Sequence, residues 1–555
     1  MSYAYQSYPF VAPPELGGET GFVHDAVVIG AGPVGLTMAL ALAKQGIKAL
    51  LLDDNNQVSV GSRAICFSKK SLEIFDKLGV AKTMLSKGVR WNVGRIFFRD
   101  MEIDRFDLLP NKSSKYPAFI NLQQYYVEQY LIEAVLKEPN IEVRWLNKLL
   151  AIQQCPEYTE LSIETPSGNY ILRTRYLIAA DGSRSTTRNL LGLELKGEQF
   201  EERFLIADFV MEADFPAERW FWFDPPFAPG QSILLHKQPD NLWRLDFKLG
   251  KKVDNSILQD QDFFRQKIKS VVGDRPFELD WTSIYSFSSK MLDRFVHDRI
   301  LFVGDSAHVV SPFGARGANS GIEDADNLSW KLAKILNGEA SEKILETYNA
   351  ERTAAAQQNI TCTGASNLFI APPSKEALAY RNSILEKAKT DPLAKKQINC
   401  GRLSVPCVYG KYPGSVEGDW SKQEVAPGRA LIDCPWENEG SFLIDQMGYH
   451  FTLLISNQTL SQSEQKRLEQ NGIHILNIDS VTNAALIEQY ELSPGAAYLI
   501  TPDQYVLGRW KRFSLDVVLL LHYTYLSGEL AAINIWEETE QEKIDAAVTQ
   551  RIISS

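Results

Sequence analysis

Residues 25–54 read DAVVIGAGPVGLTMALALAKQGIKALLLDD, which is an apolar run, a glycine-rich turn, a helical segment and a second apolar run. The first apolar run covers residues 26–29, and the second covers residues 47–52 and ends at Asp53. Short apolar runs bounded by turn signals are typical of buried parallel strands. The order of the segments therefore predicts one βαβ unit.

Three glycines separate the first predicted strand from the helix, in a Gly-x-Gly-x-x-Gly pattern that also contains Pro33. Gly30 permits a sharp turn, Gly32 lets a pyrophosphate approach the backbone, and Gly35 lets helix and strand pack closely. The N–H groups and positive dipole at the helix start then face the phosphates. Asp53 lies 23 residues after Gly30, where its carboxylate can accept hydrogen bonds from an adenosine ribose. These features predict a dinucleotide site.

Residues 26–43 contain no charge over eighteen positions, which is the threshold length for a membrane-spanning helix. Three glycines and Pro33 crowd the first third of this run, and a strand followed by a helix accounts for all of them. We therefore exclude a membrane span. The net charge of −11 also argues against nucleic acid or an anionic membrane surface as a partner.

The chain has 555 residues, which is too long for one hydrophobic core and suggests about three domains. No Lys or Arg precedes Lys44, so the sequence predicts no signal peptide. The six cysteines show no Cys-x-x-Cys and no metal-ligand spacing. This pattern favours buried, reduced thiols, no metal site and a cytoplasmic location.

Two further apolar runs end in an acid and a glycine. Residues 176–180 lead to Asp181 and Gly182, and residues 299–303 lead through a glycine to Asp305. Ligand-binding loops follow the carboxyl ends of parallel strands. We therefore expect these loops to converge with the glycine-rich turn of the βαβ unit.

Between residues 204 and 287 the sequence changes to short alternating runs separated by Pro and Gly turns, which predicts an inserted antiparallel sheet. Trp220 and Trp222 in this sheet, together with Phe313, are candidates to line an aromatic pocket. Consecutive strand residues face opposite sides, so only about half of the aromatic run around Trp220 can point into one pocket. After a linker rich in Pro, Gly and Tyr, three strand-like runs alternate with helical patterns and predict a small C-terminal α/β domain.

Four stretches resemble the flavoprotein aromatic hydroxylases, the single-component monooxygenases of the p-hydroxybenzoate hydroxylase type. They are GAGPVG with Asp53, SRAICFSKKSLEIFDKLG, AADGSRSTTR and VGDSAHVVSPFGARGANSGIEDADNLSWKLA, of which the last is the most specific. The C-terminal extension resembles the subgroup of 3-(3-hydroxyphenyl)propionate hydroxylase and polyketide hydroxylases, which carry a thioredoxin-like domain. That part of the chain has no Cys-x-x-Cys, so we expect no disulfide exchange there.

The resemblance implies an α/β chain: an FAD-binding Rossmann-like βαβ domain, an inserted antiparallel β-sheet substrate domain and a C-terminal thioredoxin-like α/β domain. The implied division is an N-terminal arm (1–22), an FAD-binding domain (23–90, 118–200 and 286–400), a substrate-binding sheet (91–117 and 201–285), a linker (401–424) and a thioredoxin-like domain (425–555). A homodimer is compatible with this division, with the C-terminal domain as the candidate contact.

By resemblance, FAD is the bound cofactor, and its ADP half would lie against the glycine-rich turn and Asp53. The residues implied to contact it are Gly30, Gly32, Pro33, Gly35, Asp53, Arg63, Gln124, Asp181, Gly182, Gly304, Asp305, Pro312, Gly317, Ala318 and Asn319. Two departures from the family pattern occur. Asp53 is followed by an acid where the family has Glu and Arg, and Arg316 replaces the usual Gln before the long helix. Arg316 could support a reduced flavin or form a surface salt bridge.

The resemblance implies a reaction in which NADH or NADPH reduces FAD and O₂ adds to form the flavin C4a-hydroperoxide. A small phenolic or other electron-rich aromatic substrate then takes the distal oxygen. Two alternatives stay open: an FAD-dependent dehydrogenase or reductase on the same fold without oxygen insertion, and a non-enzymatic flavin-binding sensor or assembly module. The sequence assigns no catalytic side chain, and we interpret His308 as a buried turn histidine.

Overall fold

The computed structural model describes residues 3–18, 21–109, 113–249, 260–400, 403–410, 412–437, 440–479, 482–529 and 540–554. The predicted N-terminal arm and linker fall partly outside the described residues, at positions 1, 2, 19 and 20 and at 401, 402 and 411. Residues 110–112 and 250–259 of the predicted substrate sheet, and residues 438, 439, 480, 481, 530–539 and 555 of the predicted thioredoxin-like domain, also lie outside the described residues.

The described strands form four sheets. In chain order they are β1 (Val23–Ile29), β2 (Ala49–Asp53), β3 (Cys66–Ser68), β4 (Val89–Trp91), β5 (Val93–Phe98), β6 (Met101–Asp107), β7 (Phe119–Asn121), β8 (Ile141–Trp145), β9 (Lys148–Gln154), β10 (Thr159–Thr165), β11 (Gly168–Ala179), β12 (Lys196–Val210), β13 (Arg219–Phe223), β14 (Ser232–Lys237), β15 (Leu242–Leu249), β16 (Glu278–Met291), β17 (Val296–His297), β18 (Ile300–Phe302), β19 (His308–Val309), β20 (Val416–Glu417), β21 (Phe451–Ser456), β22 (Ile473–Ile478), β23 (Ala497–Ile500) and β24 (Val506–Trp510).

Helices connect and cover these sheets. In chain order they are α1 (Pro33–Ala43), α2 (Lys69–Lys77), α3 (Ala81–Lys87), α4 (Gln124–Val135), α5 (Thr186–Leu190), α6 (Gln261–Val272), α7 (Gly317–Leu336), α8 (Leu345–Ile370), α9 (Lys375–Lys387), α10 (Pro392–Lys395), α11 (Gln462–Gln470), α12 (Ala484–Tyr490), α13 (Leu515–Leu526) and α14 (Glu540–Ser554). Short 3₁₀ helices lie at Pro14–Gly17, Gly304–Ser306, Glu342–Ile344, Gln423–Val425 and Leu443–Gln446.

The first sheet has the order β17-β18-β11-β1-β2-β8, and its strands from β18 to β8 run parallel. Ile29 lies opposite both Ala179 of β11 and Leu52 of β2, and Ala179 lies opposite Phe302 of β18. The carboxyl ends of four parallel strands therefore meet at one edge. This confirms the predicted βαβ unit and the convergence of its turn with the two acid-ended loops.

The uncharged run of residues 26–43 divides into β1, the glycine turn and α1, as predicted. Every residue of α1 from Gly35 to Ala43 is buried, because the helix packs between the sheet and other helices. In the part of the chain that the structure describes, no helix has both the length and the apolarity to cross a membrane.

β11 is a single long strand, and the predicted apolar run that begins at residue 176 forms only its last part. Its first half pairs antiparallel with β10, and its second half pairs parallel with β1 and β18. Only the second half is buried on both faces, so only that half reads as an apolar run.

The second sheet has the order β19-β16-β12-β15-β14-β13-β5-β6. It is antiparallel except that β13 pairs parallel with β5. Helix α6, which the alternating sequence pattern does not predict, packs Phe264 and Ile268 onto one face. The opposite face is directed toward the loop that precedes α7, where Phe204 contacts Phe313.

A third sheet of order β20-β24-β23-β21-β22 forms the C-terminal unit, and a small sheet of order β3-β7-β4 lies beside α2. β21, β22 and β23 are the three predicted strands. The described part of the predicted linker packs tightly, since Tyr409 is buried and stacks on Tyr505 with ring centroids 3.9 Å apart. The N-terminal arm is also held, because the Tyr8 amide donates to the Asn56 carbonyl at 2.7 Å.

Candidate cofactor site

The glycine-rich turn after β1 is shaped by close backbone contacts. Gly30 has a φ of +104°, and a Cβ there would lie 2.5 Å from the Ala180 carbonyl oxygen. A Cβ on Gly35 would lie 1.9 Å from the Gly30 carbonyl oxygen. Larger residues at either position would therefore push α1 or β11 away from the turn.

Gly32 is different, because a Cβ there would meet no atom of the described residues within 4 Å. It precedes α1, which has Pro33 in its first turn and no side chain that caps its N-terminal N–H groups. The positive end of the helix thus faces open space beside Gly32. An anionic group of a ligand fits this position.

Asp53 ends β2 beside the same turn. Its Oδ2 accepts from the Ala31 amide at 2.5 Å, and its Oδ1 accepts from the Asn55 amide at 2.8 Å. Burial raises the pKa of Asp53 to about 6. The carboxylate is thus held rigidly next to the glycine turn.

Arg63 projects from the loop before β3 and is exposed. No hydrogen bond or ion pair of its guanidinium occurs within the described residues. Burial raises the pKa of Asp305, and the charge of Arg63 partly opposes this rise. Gln124 holds this loop: its Oε1 accepts from the Ala64 amide at 3.1 Å, and its Nε2 donates to Glu128 at 2.8 Å. Because the side-chain amide of Gln124 forms hydrogen bonds with protein groups, Gln124 would affect a ligand by positioning this loop rather than by direct contact.

Asp181 and Gly182 follow β11 at the same edge of the sheet. Asp181 Oδ2 accepts from the Thr187 amide at 2.8 Å, which fixes the start of α5. Asp181 Oδ1 is buried without a hydrogen-bond partner among the described residues. Gly182 has a φ of +73°, which a residue with a side chain rarely adopts.

Asp305 lies in the 3₁₀ turn after β18 and is exposed, yet burial raises its pKa. Both observations fit a carboxylate that water reaches but that protein atoms surround on most sides. A hydrogen bond joins this turn to α7, since Asp324 of α7 accepts from the Gly304 amide at 2.9 Å. His308 is fully buried, as predicted, and its Nε2 lies 2.6 Å from Asp324 Oδ2.

Asp324 was not singled out from the sequence. Burial raises the pKa of its carboxyl, but His308 and Arg352 outweigh burial and bring the pKa down to about 2. Arg352 Nε donates to Asp324 Oδ1 at 2.6 Å, and both side chains are fully buried. The sequence feature that could identify Asp324 is its position on the buried face of an amphipathic helix. A charged side chain in such a position needs a hydrogen-bonded or oppositely charged partner.

The loop before α7 contains the remaining predicted contacts. Pro312 is exposed, Gly317 and Ala318 are half-buried, and α7 begins at Gly317 as expected. Asn319 uses its amide within the protein: Oδ1 accepts from the Ser68 amide at 2.9 Å, and Nδ2 donates to the Cys66 carbonyl at 3.0 Å. Only the Asn319 backbone remains for a ligand.

Arg316 is buried and 4% exposed, so the surface salt bridge considered from the sequence is wrong. Its guanidinium donates to Asn359 Oδ1 at 2.7 Å and to the Leu403 carbonyl at 3.3 Å. It therefore ties the loop before α7 to α8.

The three candidate substrate contacts do not come together. Phe313 packs edge-on against Phe204 at 4.8 Å, on the face of the second sheet that is directed toward α7. Trp220 and Trp222 lie on the other face, where both contact Phe97. Their neighbours Phe221 and Phe223 belong instead to the hydrophobic cluster that also contains Phe204 and Phe313, because strand residues alternate in direction.

The residues at the edge of the first sheet fit an extended dinucleotide. Four strand ends converge there, open space faces an uncapped helix start at Gly32, and the acids Asp53 and Asp305 lie at two of the strand ends. Arg63 supplies a cation without a protein partner in the described residues. Phosphates, ribose hydroxyls and a ribityl chain need this combination of groups.

Comparison with known proteins agrees with the geometry. A 3-(3-hydroxy-phenyl)propionate/3-hydroxycinnamic acid hydroxylase of Mycolicibacterium smegmatis is 25% identical over 376 residues, which are 67% of this chain and 66% of the relative. The match thus spans slightly less than two thirds of that relative's length. A flavin-dependent monooxygenase of Mycobacteroides abscessus is 31% identical, over 60% of this chain and 71% of the relative.

Among solved structures, the flavin-dependent monooxygenase PieE in complex with FAD and substrate superposes with a TM-score of 0.75. It is 21% identical and covers 96% of this chain and 99% of its own, which shows a common fold. The family model described as FAD binding domain matches residues 24–363, more than half of the chain. The chain therefore belongs to the FAD binding domain family.

Proposed function

We propose that this chain is an FAD-dependent, NAD(P)H-consuming monooxygenase that hydroxylates a phenolic or other electron-rich aromatic substrate. The convergence of four strand ends on an open, uncapped helix start is the observation that carries the proposal. The hydroxylase and monooxygenase names of the relatives support the reaction type.

In this proposal the ADP half of FAD lies along the turn from Gly30 to Gly35, and Asp53 accepts hydrogen bonds from the ribose. Arg63 pairs with the pyrophosphate, and Asp305 accepts from the ribityl chain. Asp181 contributes its unpartnered Oδ1 at the same edge. The loop residues proposed to surround the isoalloxazine are Pro312, Gly317, Ala318 and the Asn319 backbone, next to Gly304; Pro33, Gly182 and Gln124 shape the surrounding turns.

Bound FAD, once reduced by NADH or NADPH, supplies the activation of O₂ and the oxygen atom that is transferred. The residues of the chain orient the aromatic ring and exclude water. Phe204, Phe287 and Phe313 form an apolar wall in contact with one another, with ring centroids 4.8 to 5.5 Å apart. Such a dry wall suits a reaction in which water would destroy the reactive species.

The proposal includes the division of the chain into an arm (1–22), an FAD-binding domain (23–90, 118–200 and 286–400), a substrate sheet (91–117 and 201–285), a linker (401–424) and a thioredoxin-like domain (425–555). The pairing of β13 to β16 in one sheet and of β21 to β24 in another supports it. A cytoplasmic location is part of the proposal, because the reaction consumes NAD(P)H.

The test is an oxygen-isotope experiment. Purified protein is loaded with FAD and incubated with NADH or NADPH, a panel of phenols and ¹⁸O₂, and products are analysed by mass spectrometry. We expect at least one phenol to accelerate NAD(P)H oxidation and to gain one ¹⁸O atom. Accelerated oxidation without labelled product for every phenol would indicate the dehydrogenase or reductase alternative. Slow turnover that no phenol changes would indicate the sensor or assembly module.

A further inference from the structure

The loop between β2 and β3 lies between two of the proposed cofactor contacts. Its residues 54–65, all of which the structure describes, contain no helix or strand. Asp53 precedes the loop, and Arg63 lies near its end. Arg63 is exposed, and its guanidinium makes no hydrogen bond within the described residues. The direction in which Arg63 points therefore depends on the groups that hold the loop.

The N-terminal arm pairs with the first half of this loop. The Tyr8 amide donates to the Asn56 carbonyl at 2.7 Å, and Asn56 Nδ2 donates to the Tyr8 carbonyl at 3.0 Å. Ser7 and Gln57 form an antiparallel bridge. Because the two segments run in opposite directions, the residues before Ser7 lie beside the part of the loop that leads to Arg63.

Tyr5 makes the contact nearest to Arg63. Its hydroxyl oxygen accepts a hydrogen bond from the Gly61 amide at 3.1 Å. Gly61 has a φ of +74°, and a Cβ there would lie 2.7 Å from the Trp281 ring of β16. A residue with a side chain rarely adopts such a backbone conformation. The arm and β16 together thus fix the backbone two residues before Arg63.

Other contacts hold the loop without the arm. The Ser59 amide and hydroxyl donate to the Glu128 carboxylate of α4 at 2.6 and 2.8 Å. Arg244 of β15 donates to the Ser62 carbonyl at 2.5 Å. The loop therefore stays attached if the arm is loosened, and the Tyr5 hydroxyl adds a restraint at Gly61 alone.

Aromatic contacts tie the arm itself to the domain. The Tyr3 ring lies 4.2 Å from the Tyr125 ring, and its hydroxyl donates to Gln129 Oε1 at 3.0 Å. Tyr8 stacks on Trp145 of β8 with ring centroids 4.8 Å apart. Chain termini are poorly ordered unless such contacts hold them. The arm is therefore ordered on both sides of the residue that reaches the loop.

We propose that the N-terminal arm is part of the cofactor site. In this inference Tyr5 is a positioning residue: through Gly61 it restricts the loop so that Arg63 points toward the pyrophosphate of FAD. A loop that is already ordered loses less conformational freedom when the ligand binds, so the ligand binds more tightly. The inference rests on the proposed function, which assigns Arg63 to the pyrophosphate.

The test is a double-mutant cycle on the affinity for FAD. The dissociation constant of oxidised FAD is measured by fluorescence quenching for the wild type, Tyr5→Phe, Arg63→Gln and the double variant. Tyr5→Phe should raise the dissociation constant about three- to tenfold, because it removes one hydrogen bond to the loop. In the Arg63→Gln background the same substitution should change it by less than about twofold, because the group that Tyr5 positions is absent.

Tyr126→Phe is the matched control. The Tyr126 ring lies 5.2 Å from the Tyr3 ring, but its hydroxyl donates to Asp240 Oδ2 at 2.8 Å. The control thus removes one tyrosine hydrogen bond that does not reach the loop, and the affinity for FAD should stay within about twofold of the wild type. Tyr5 is 39% exposed, so ligand-free Tyr5→Phe should melt within about 3 °C of the wild type.

Hydrogen exchange tests the same coupling without a substitution in the arm. Coupling between two sites is reciprocal, so FAD that binds Arg63 must also stabilise the arm. Amide exchange in peptides that cover residues 3–10 should slow by about threefold or more when FAD is bound. In Arg63→Gln, at an FAD concentration that saturates the protein, this protection should disappear.

Two results would overturn the inference alone. One is weaker FAD binding in Arg63→Gln together with a wild-type affinity in Tyr5→Phe. The other is an equal effect of Tyr5→Phe with and without Arg63, which would show that Tyr5 does not act through that side chain. An unchanged affinity in Arg63→Gln would refute the pyrophosphate contact of the proposed function, and the inference with it. FAD binding is measured without turnover, so a failure to hydroxylate any phenol would count against the proposed function alone.

Discussion

At position 32, a side chain should affect ligand binding without affecting the fold. The Gly32 φ of −76° is open to any residue, and a Cβ there meets no atom within 4 Å in the part of the chain that the structure describes. We therefore expect Gly32→Val to fold with a normal melting temperature. The added methyl groups would occupy the space proposed for the pyrophosphate, so the affinity for FAD should fall by more than about 100-fold, or about 2.8 kcal/mol. Flavin absorbance of the purified protein measures the loss.

Gly364→Val is the control for this variant, since Gly364 lies within α8 and a Cβ there also meets none of the described residues within 4 Å. It should retain FAD. A yellow, FAD-replete Gly32→Val protein would remove the glycine turn from the phosphate site.

The raised pKa of Asp53 predicts that the affinity for FAD depends on pH. Burial raises its pKa to about 6 in the ligand-free chain, whereas ribose hydroxyls that donate to it would favour the carboxylate. Free protein then binds more protons than the complex, so affinity should rise with pH up to about 6 and level off above it. The dissociation constant, measured by quenching of FAD fluorescence, should increase by up to about tenfold per unit below that pH.

Asp53→Asn should bind FAD more weakly at neutral pH and should lose this dependence, because the amide does not titrate. The same pH profile in wild type and Asp53→Asn would mean that another group is responsible.

At the scale of elements, helix α7 must pack close to the turn that carries Asp305. A Cβ on Gly321 of α7 would lie 2.6 Å from Val34 Cγ2 and 3.0 Å from Gly304 Cα. Gly321→Ala should therefore push α7 away from α1 and from this turn, at a cost of roughly 1–3 kcal/mol in the free energy of unfolding. It should also weaken FAD binding, because Asp305 moves with the turn. Chemical denaturation and FAD titration measure the two effects.

Gly364→Ala places the same methyl group in a helix where space is open. It should stabilise the protein by about 0.4–1 kcal/mol, because alanine restricts the unfolded chain. Equal effects of the two substitutions would show that α7 does not need its close approach to the Gly304 turn.

Elements that follow from local pattern were predictable, and contacts set by distant partners were not. β1, α1 and β2 are fixed by apolar runs and glycine spacing within thirty residues, and the structure has them as expected. The parallel pair of β13 with β5 depends on strands far apart in sequence, so the sequence could not say which face Trp220 occupies. Asp324 was missed for the same reason, because its partner Arg352 lies on another helix.

At the scale of the whole molecule, buried polar contacts join the C-terminal unit to the helices behind the cofactor site. Asn327 of α7 donates to Asp503 Oδ2 at 2.7 Å, next to the fully buried ion pair of Lys331 with Glu351 at 2.6 Å. Glu351 also accepts from the Tyr525 hydroxyl of α13 at 2.7 Å. If either the C-terminal unit or helices α7 and α8 unfolded alone, buried polar groups on the other part would lose their hydrogen-bond partners. We therefore expect the two parts to unfold together.

Asp503→Ala tests this coupling. It leaves the Asn327 amide without one acceptor, so the free energy of unfolding should fall by about 1–3 kcal/mol. Flavin release and loss of secondary structure, followed by FAD fluorescence and circular dichroism, should shift together to lower temperature. Asp516→Ala removes a side chain that is 85% exposed and pairs with Arg467 at 3.3 Å, so it should change stability by less than about 0.5 kcal/mol. Flavin release at the wild-type temperature in Asp503→Ala would show that the C-terminal unit unfolds independently.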